Sequence, residues 1–132
     1  MGDETRYLSV ADVIAIHITM MERLGAAPEA LRDEGLLESA VLKPQMAAHY
    51  EGADLIRQAA LLAIGISQNQ PFVDGNKRTA YMAAWMFLEH NGRRFAGDAL
   101  ELARQLERVA ERTDSLAEAT DRFERWLREH VE

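Results

Sequence analysis

Residues 74–78 read Asp-Gly-Asn-Lys-Arg, which puts an acid, a glycine, an amide and two cations into five consecutive positions. Gln70-Pro71-Phe72-Val73 comes just before them, and an apolar run suited to a helix follows from Thr79 to Glu89. A glycine-containing loop that feeds a helix N-terminus is an anion site. Its first backbone N–H groups have no partner within the helix, and the helix dipole favours negative charge there. Lys77 and Arg78 add two fixed positive charges. Asp74 would repel phosphate by itself, so its place here points to a divalent cation or to a hydroxyl proton it could accept. These residue types in this order describe phosphate handling with a metal. The bland alternative is a turn followed by a helix cap.

The elements that must hold this loop read as all-α. Ser9 with Asp12 makes a capping-box start, and Val10, Val13, Ile14, His17, Met20, Met21 and Leu24 follow at helical spacing up to Gly25. Residues 26–35, with Pro28 and alternating charges, read as a loop. Leu36 to Leu42 is expected to be a short helix stopped by Pro44. Residues 46–53 read as a loop or an irregular flap over the site. Asp54 caps a long helix with an apolar face of Leu55, Ile56, Ala59, Leu62, Ala63 and Ile66, which Pro71 ends. The helix from Lys77 to His90 is apolar nearly all round, as a central buried helix would be. Asp98 with Glu101 and Ser115 with Glu118 open two further amphipathic helices, striped by Leu102, Leu106 and Val109 and by Phe123, Trp126, Leu127 and Val131. The expectation is one compact bundle of about six helices, a single domain over residues 1–132.

Composition narrows the function. The net charge of −7 argues against broad nucleic-acid binding, which draws on a basic surface. Arg93 and Arg94 read as solvated loop charges. Zero cysteines among 132 residues exclude thiolate chemistry and fit a reducing cytoplasm. The first residues carry no signal-peptide pattern, and no apolar run has the length to span a bilayer, so a cytoplasmic protein without a membrane partner is expected. His17 on its apolar helix face reads as a core histidine. His49, His90 and His130 are too scattered for zinc, and no HExxH spacing occurs. Met20, Met21, Met82 and Met86 read as core.

The blocks Gly35–Ala40, Lys43-Pro44-Gln45, Pro71–Ala80 and Phe87–Gly92 resemble the Doc branch of the Fic/Doc family, the toxin half of bacterial toxin–antitoxin pairs. The resemblance covers residues 7–95. The family motif runs His, Pro-Phe, two variable residues, Gly-Asn. AMP-transferring members continue with Gly-Arg, two residues and Arg; Lys77 and Tyr81 stand at the second Gly and the last Arg, as in Doc-type kinases. The resemblance implies ATP and Mg²⁺ as cofactors, a Thr of an elongation factor Tu-like protein as substrate, arrest of translation, and a small antitoxin protein in trans. It assigns the metal or the acceptor hydroxyl to Asp74, the nucleotide phosphates to Gly75, Asn76, Lys77 and Arg78, and an inward anchor to Phe72; it also offers His17 a supporting role near the site as the alternative to a core histidine. Gln70 departs from the family, which has its catalytic His there. An amide cannot act as a base at neutral pH, and general-base help contributes about 10²–10⁴-fold. Asp74 is the remaining candidate base. Two other readings stay open: a catalytically silent pseudo-enzyme that keeps a nucleotide or antitoxin site, and transfer of AMP or another nucleotide-derived group. The family's self-inhibitory element is approached at Thr120 to Glu124 but broken by Arg125.

Overall fold

A computed structural model describes residues 4–27 and 31–132. Six helices run in chain order: α1 Val10–Arg23, α2 Glu34–Glu51, α3 Leu55–Asn69, α4 Asn76–His90, α5 Ala99–Ala110 and α6 Leu116–Glu129. Among the described residues there is no strand beyond two isolated bridges, Leu31–Phe72 and Phe95–Val131. The all-α reading of the sequence holds.

The bundle is built around α3. It packs against α2, α4, α5 and α6, while α1 lies on α4 and touches α2. The reason is small residues. Ala59, Ala60, Ala63 and Gly65 are buried on α3, and a Cβ added at Gly65 would sit 3.2 Å from the Ala40 Cβ. Their lack of bulk lets α2 come close. The sequence had pointed to α4 as the enclosed helix. Instead α4 keeps Tyr81, Met82 and Met86 only partly covered and exposes Trp85, because one of its sides lines a groove with α1.

The larger difference is α2. The short helix expected to stop at Pro44 is an 18-residue helix that runs through it, and the loop or flap reading of residues 46–53 gives way to helix up to Glu51. A mid-helix proline costs about 3 kcal/mol. Against that, Leu37, Ala40, Val41, Pro44 and Ala47 are all buried on one face, and each large side chain contributes roughly 1.5–3 kcal/mol. Asp33 caps the start by accepting from the Leu36 N–H, and Gly52 closes the end in the left-handed conformation. Packing and caps outweigh the one broken hydrogen bond. Part of the loop expected over 26–35, residues 28–30 with Pro28, lies outside the described residues. No helix among the described residues is long and apolar enough to cross a membrane.

Helix starts follow the sequence closely. Ser9 and Asp12 form the expected capping box. Asp54 and Asp98 accept from Arg57 and Leu100 N–H, and Ser115 from Glu118 N–H. Glu101 does not complete a box; it pairs with Gln105 and Arg104 along its own helix.

Candidate phosphate and metal site

Pro71 ends α3 because it has no N–H to give and crowds the residue before it. Gln70 therefore leaves the helix in the left-handed region, with φ 49° and ψ 58°, the one non-glycine among the described residues to do so. Such a conformation costs an ordinary residue about 1–2 kcal/mol and needs surrounding support. Arg32 supplies it. Its Nε donates to the Gln70 carbonyl at 2.8 Å and its Nη2 to the Asn69 carbonyl at 3.0 Å, which also sets a cation at the negative end of α3. Arg32 and Asp33 N–H both donate to the Pro71 carbonyl. Nothing in the spacing of residues 31–33 signals this strap. The Gln70 side chain is exposed and open toward the cleft.

Beyond Pro71 the chain is fixed by three side chains. Phe72 is 2% exposed and anchors inward, as expected. Asn76 grips it on both sides: the Phe72 N–H donates to Asn76 Oδ1 at 3.0 Å, and Asn76 Nδ2 donates to the Phe72 carbonyl at 2.9 Å. The Asn76 amide thus shapes the loop, so its share in holding phosphate falls to its backbone N–H. His17, 1% exposed, stacks on Phe72 with ring centroids 3.9 Å apart and donates from Nε2 to the Asp74 carbonyl at 2.8 Å. The core-histidine reading holds, and the ring also ties α1 to the loop. Asp74 Oδ1 accepts from the Gly75 N–H at 2.8 Å, while the carboxylate remains exposed.

Gly75 stands at the N-cap of α4 with φ 79°, and no side chain caps this helix. The other five helices each have a Ser or Asp cap. The first-turn N–H groups of α4, from Asn76 to Arg78, are left for another acceptor. Gly75 is required twice over. Its φ suits glycine, and a Cβ would meet Met20 Cε at 3.0 Å and Met21 Sδ at 3.1 Å. Arg78 is exposed and has no ion pair among the described residues. Lys77 is turned instead to Glu107 of α5, with Nζ 2.8 Å from Oε1.

These groups border a cleft of about 580 Å³ lined by Gln70, Asp74, Gly75, Asn76, Lys77 and Arg78, with Ser67 at its floor. Ser67 is 4% exposed and its Oγ finds no partner among the described residues, nor does the buried Thr79 Oγ1 in the first turn of α4. Ser67 escaped the sequence reading, although it lies one helical turn before Gln70. Every site residue picked from the sequence thus borders one cavity. No group of three or more His, Asp or Glu side chains is placed to hold a metal ion among the described residues. Among the described residues that line the cleft, Asp74 alone offers a carboxylate to a cation, which fits Mg²⁺. That ion keeps several waters and takes one or two carboxylates together with substrate phosphates. A second, more apolar groove of about 510 Å³ runs between α1 and α4, lined by Ile16, Met20, Leu24, Tyr81, Met82 and Met86, and shares Arg78 with the cleft. Met21 is core, but Met20, Met82 and Met86 form the wall of this groove.

The sequence matches the family model described as the Fic/DOC family over residues 7–88. It is 46% identical over 72 residues to Toxin Doc of Mycolicibacterium smegmatis, an alignment covering 52% of this chain and 54% of that protein. It is 33% identical over 88 residues to Protein kinase doc of Escherichia phage P1, covering 66% and 69% respectively. The aligned part of the chain therefore spans about half the length of the mycolicibacterial relative. The family match stops within α4, so α5 and α6 lie beyond it.

Proposed function

The chain belongs to the Fic/DOC family, and on that premise we propose that it is a Doc-type toxin, an ATP- and Mg²⁺-dependent phosphotransferase acting on a protein hydroxyl. The observation that carries this reading is the start of α4, where an uncapped N-terminus, an Arg78 with no ion pair among the described residues and the Asp74 carboxylate border one cleft. The names of its relatives, a toxin and a protein kinase, point the same way.

In this reading the backbone N–H groups of α4 and the Arg78 guanidinium hold the triphosphate, with Lys77 joining once it leaves Glu107. Mg²⁺, when bound at Asp74, neutralises charge on the phosphates. Gln70 hydrogen-bonds the acceptor hydroxyl and aims it. The acceptor oxygen bonds to the γ-phosphorus as the bond to the β,γ-bridging oxygen breaks, and ADP leaves. The hydroxyl proton passes to the Asp74 oxygen that a bound cation would leave free, a base weakened by that cation. Positioning and charge neutralisation provide most of the catalysis in phosphoryl transfer, so a weak base is tolerable when the transition state is loose. An elongation factor Tu-like protein in the cytoplasm is the proposed substrate. The apolar α1/α4 groove, with Arg23 and Arg78 at its rim, suits an amphipathic segment of an antitoxin acting in trans.

A second reading has its own support. Gln70 carries no titratable group and Lys77 is occupied by Glu107, which fits a silent binder of nucleotide. One assay separates the two. The chain and its Gln70→His variant are incubated with ATP, Mg²⁺ and elongation factor Tu, with intact-mass readout of the target. We expect phosphate addition by both, about 10²–10⁴-fold faster with His. Addition by the variant alone supports the silent binder. Mass gain by AMP corrects the transferred group, and no modification by either overturns the substrate.

A further inference from the structure

We infer that His17 is a positioning residue for the phosphate loop, clamping the peptide plane between Asp74 and Gly75 from the side of α1. Two hydrogen bonds converge on that one plane. Its carbonyl accepts from His17 Nε2 at 2.8 Å, and its N–H donates to Asp74 Oδ1 at 2.8 Å. A peptide unit is planar, so fixing its carbonyl fixes the direction of its N–H. The N–H in turn holds the Asp74 carboxylate on the cleft side. His17 therefore sets the aim of an acid it does not touch with its own side chain.

The ring is itself held. It is 1% exposed, lies within 5° of parallel to Phe72, and has its Cδ2 3.5 Å from the Cβ position of Gly75. Phe72 is fixed by Asn76, the first residue of α4. The chain of contacts runs from α1 through His17 to the peptide at 74–75 and through Phe72 and Asn76 to the start of α4. Burial makes the donor matter: an Asp74 carbonyl with nothing to accept from would settle toward another group, and the carboxylate would follow.

The nucleotide arm of the test rests on the phosphate reading above; a second arm does not. The full chain is compared with His17→Phe, which keeps a stacking ring without a donor, and with the matched pair His17→Gln and His17→Met, which have similar length with and without one. Calorimetric titration with Mg²⁺ and ATP gives affinity, and amide hydrogen exchange at Gly75 gives the state of the clamp. Loss of one hydrogen bond is expected to weaken binding roughly 3- to 10-fold and to speed Gly75 exchange by a similar factor in the Phe and Met variants. His17→Gln should stay within about 3-fold of the unaltered chain on both. Gln and Met variants that agree in both readouts would overturn the clamp and leave His17 as packing alone. Should His17→Phe fail to fold, the Gln/Met pair decides. If the unaltered chain binds neither ATP nor inorganic pyrophosphate, the phosphate reading falls. Gly75 exchange then decides alone: faster in Met than in Gln upholds the clamp, and equal rates overturn it.

Discussion

Two neighbouring helices begin in opposite ways. At the start of α3 every charge is answered. Asp54 accepts from the Arg57 N–H and takes both Arg128 nitrogens at 2.7 and 3.2 Å. Arg128 also reaches Glu124, and Arg57 reaches Glu124 at 2.7 Å and Asp121 at 3.3 Å, with Glu51 at 3.6 Å. The start of α4 has no side-chain cap, a glycine in the left-handed region, and an arginine without an acid among the described residues. Both ends carry the same dipole and the same orphan N–H groups. The first is closed by the protein's own side chains and ties α3 to α6; the second is left for something that arrives. Charge content alone does not mark a binding site. Charge that the fold declines to neutralise does.

The comparison breaks first at Arg78. If the open end of α4 exists for phosphate, Arg78→Ala should weaken binding of Mg²⁺ and ATP about 10- to 100-fold, the range expected for hydrogen bonds to a charged group. Melting temperature should barely move, since the side chain is exposed and pairs with nothing described. Titration calorimetry beside thermal denaturation reads both. Unchanged affinity would make α4 an ordinary helix start. Gly75→Ala follows. The left-handed φ of 79° should cost about 1–2 kcal/mol in chemical denaturation, while the flexible ends of Met20 and Met21 yield to the new methyl. Nucleotide affinity should fall too, because relief of that strained φ shifts the first amides of α4.

The closed end gives the mirror image. Asp54→Ala removes a cap and an ion-pair partner, and should cost about 1 kcal/mol of stability with nucleotide affinity unchanged. The pH dependence sharpens this. The Arg128 guanidinium, with the Arg57 N–H, holds the Asp54 carboxyl below its usual 3.8 against some desolvation. Burial works to raise Glu124, but hydrogen bonds from Arg128 and Arg57 prevail and lower it from its usual 4.5. A depressed carboxyl contributes stability that is present above the unfolded value and lost as pH falls through the folded one. The difference between the chain and Asp54→Ala should therefore be steady above pH 3.8 and shrink below it. Denaturant titrations across that window check it. A gap that persists in acid would assign the effect to the cap geometry alone.

How legible was this from sequence? Caps and apolar stripes are local, so Ser9, Asp54, Asp98 and Ser115 could be read as helix starts. Residues 74–78 announced an anion site because their chemistry lies in one contiguous stretch. What failed was tertiary. Pro44 looks like a stop until the buried face of α2 is set against it. α4 looks central until α1 is seen to leave a groove beside it. Arg32 and His17 act on the loop from 38 and 57 residues away, and no spacing encodes that distance. Asn76 had the right address and a different task, since its amide is consumed by Phe72.

The smallest expected effect tests where the site ends. Lys77 sits at the open end of α4 yet pairs with Glu107, which belongs to α5 and lies beyond the matched family region. The two side chains are 43% and 52% exposed, and an exposed pair contributes about 0–1 kcal/mol. Phosphate, with more charge and with the dipole behind it, should win Lys77 from Glu107 at little cost. Glu107→Gln is then expected to tighten nucleotide binding only about 2-fold at low salt. The gain should vanish near 1 M salt, where the screening length is about 3 Å. A tenfold gain would make α5 a latch on the site and carry its boundary past the family match. No gain at any salt would mean that Lys77 stays with Glu107 and that Arg78 and the α4 amides hold the phosphate alone.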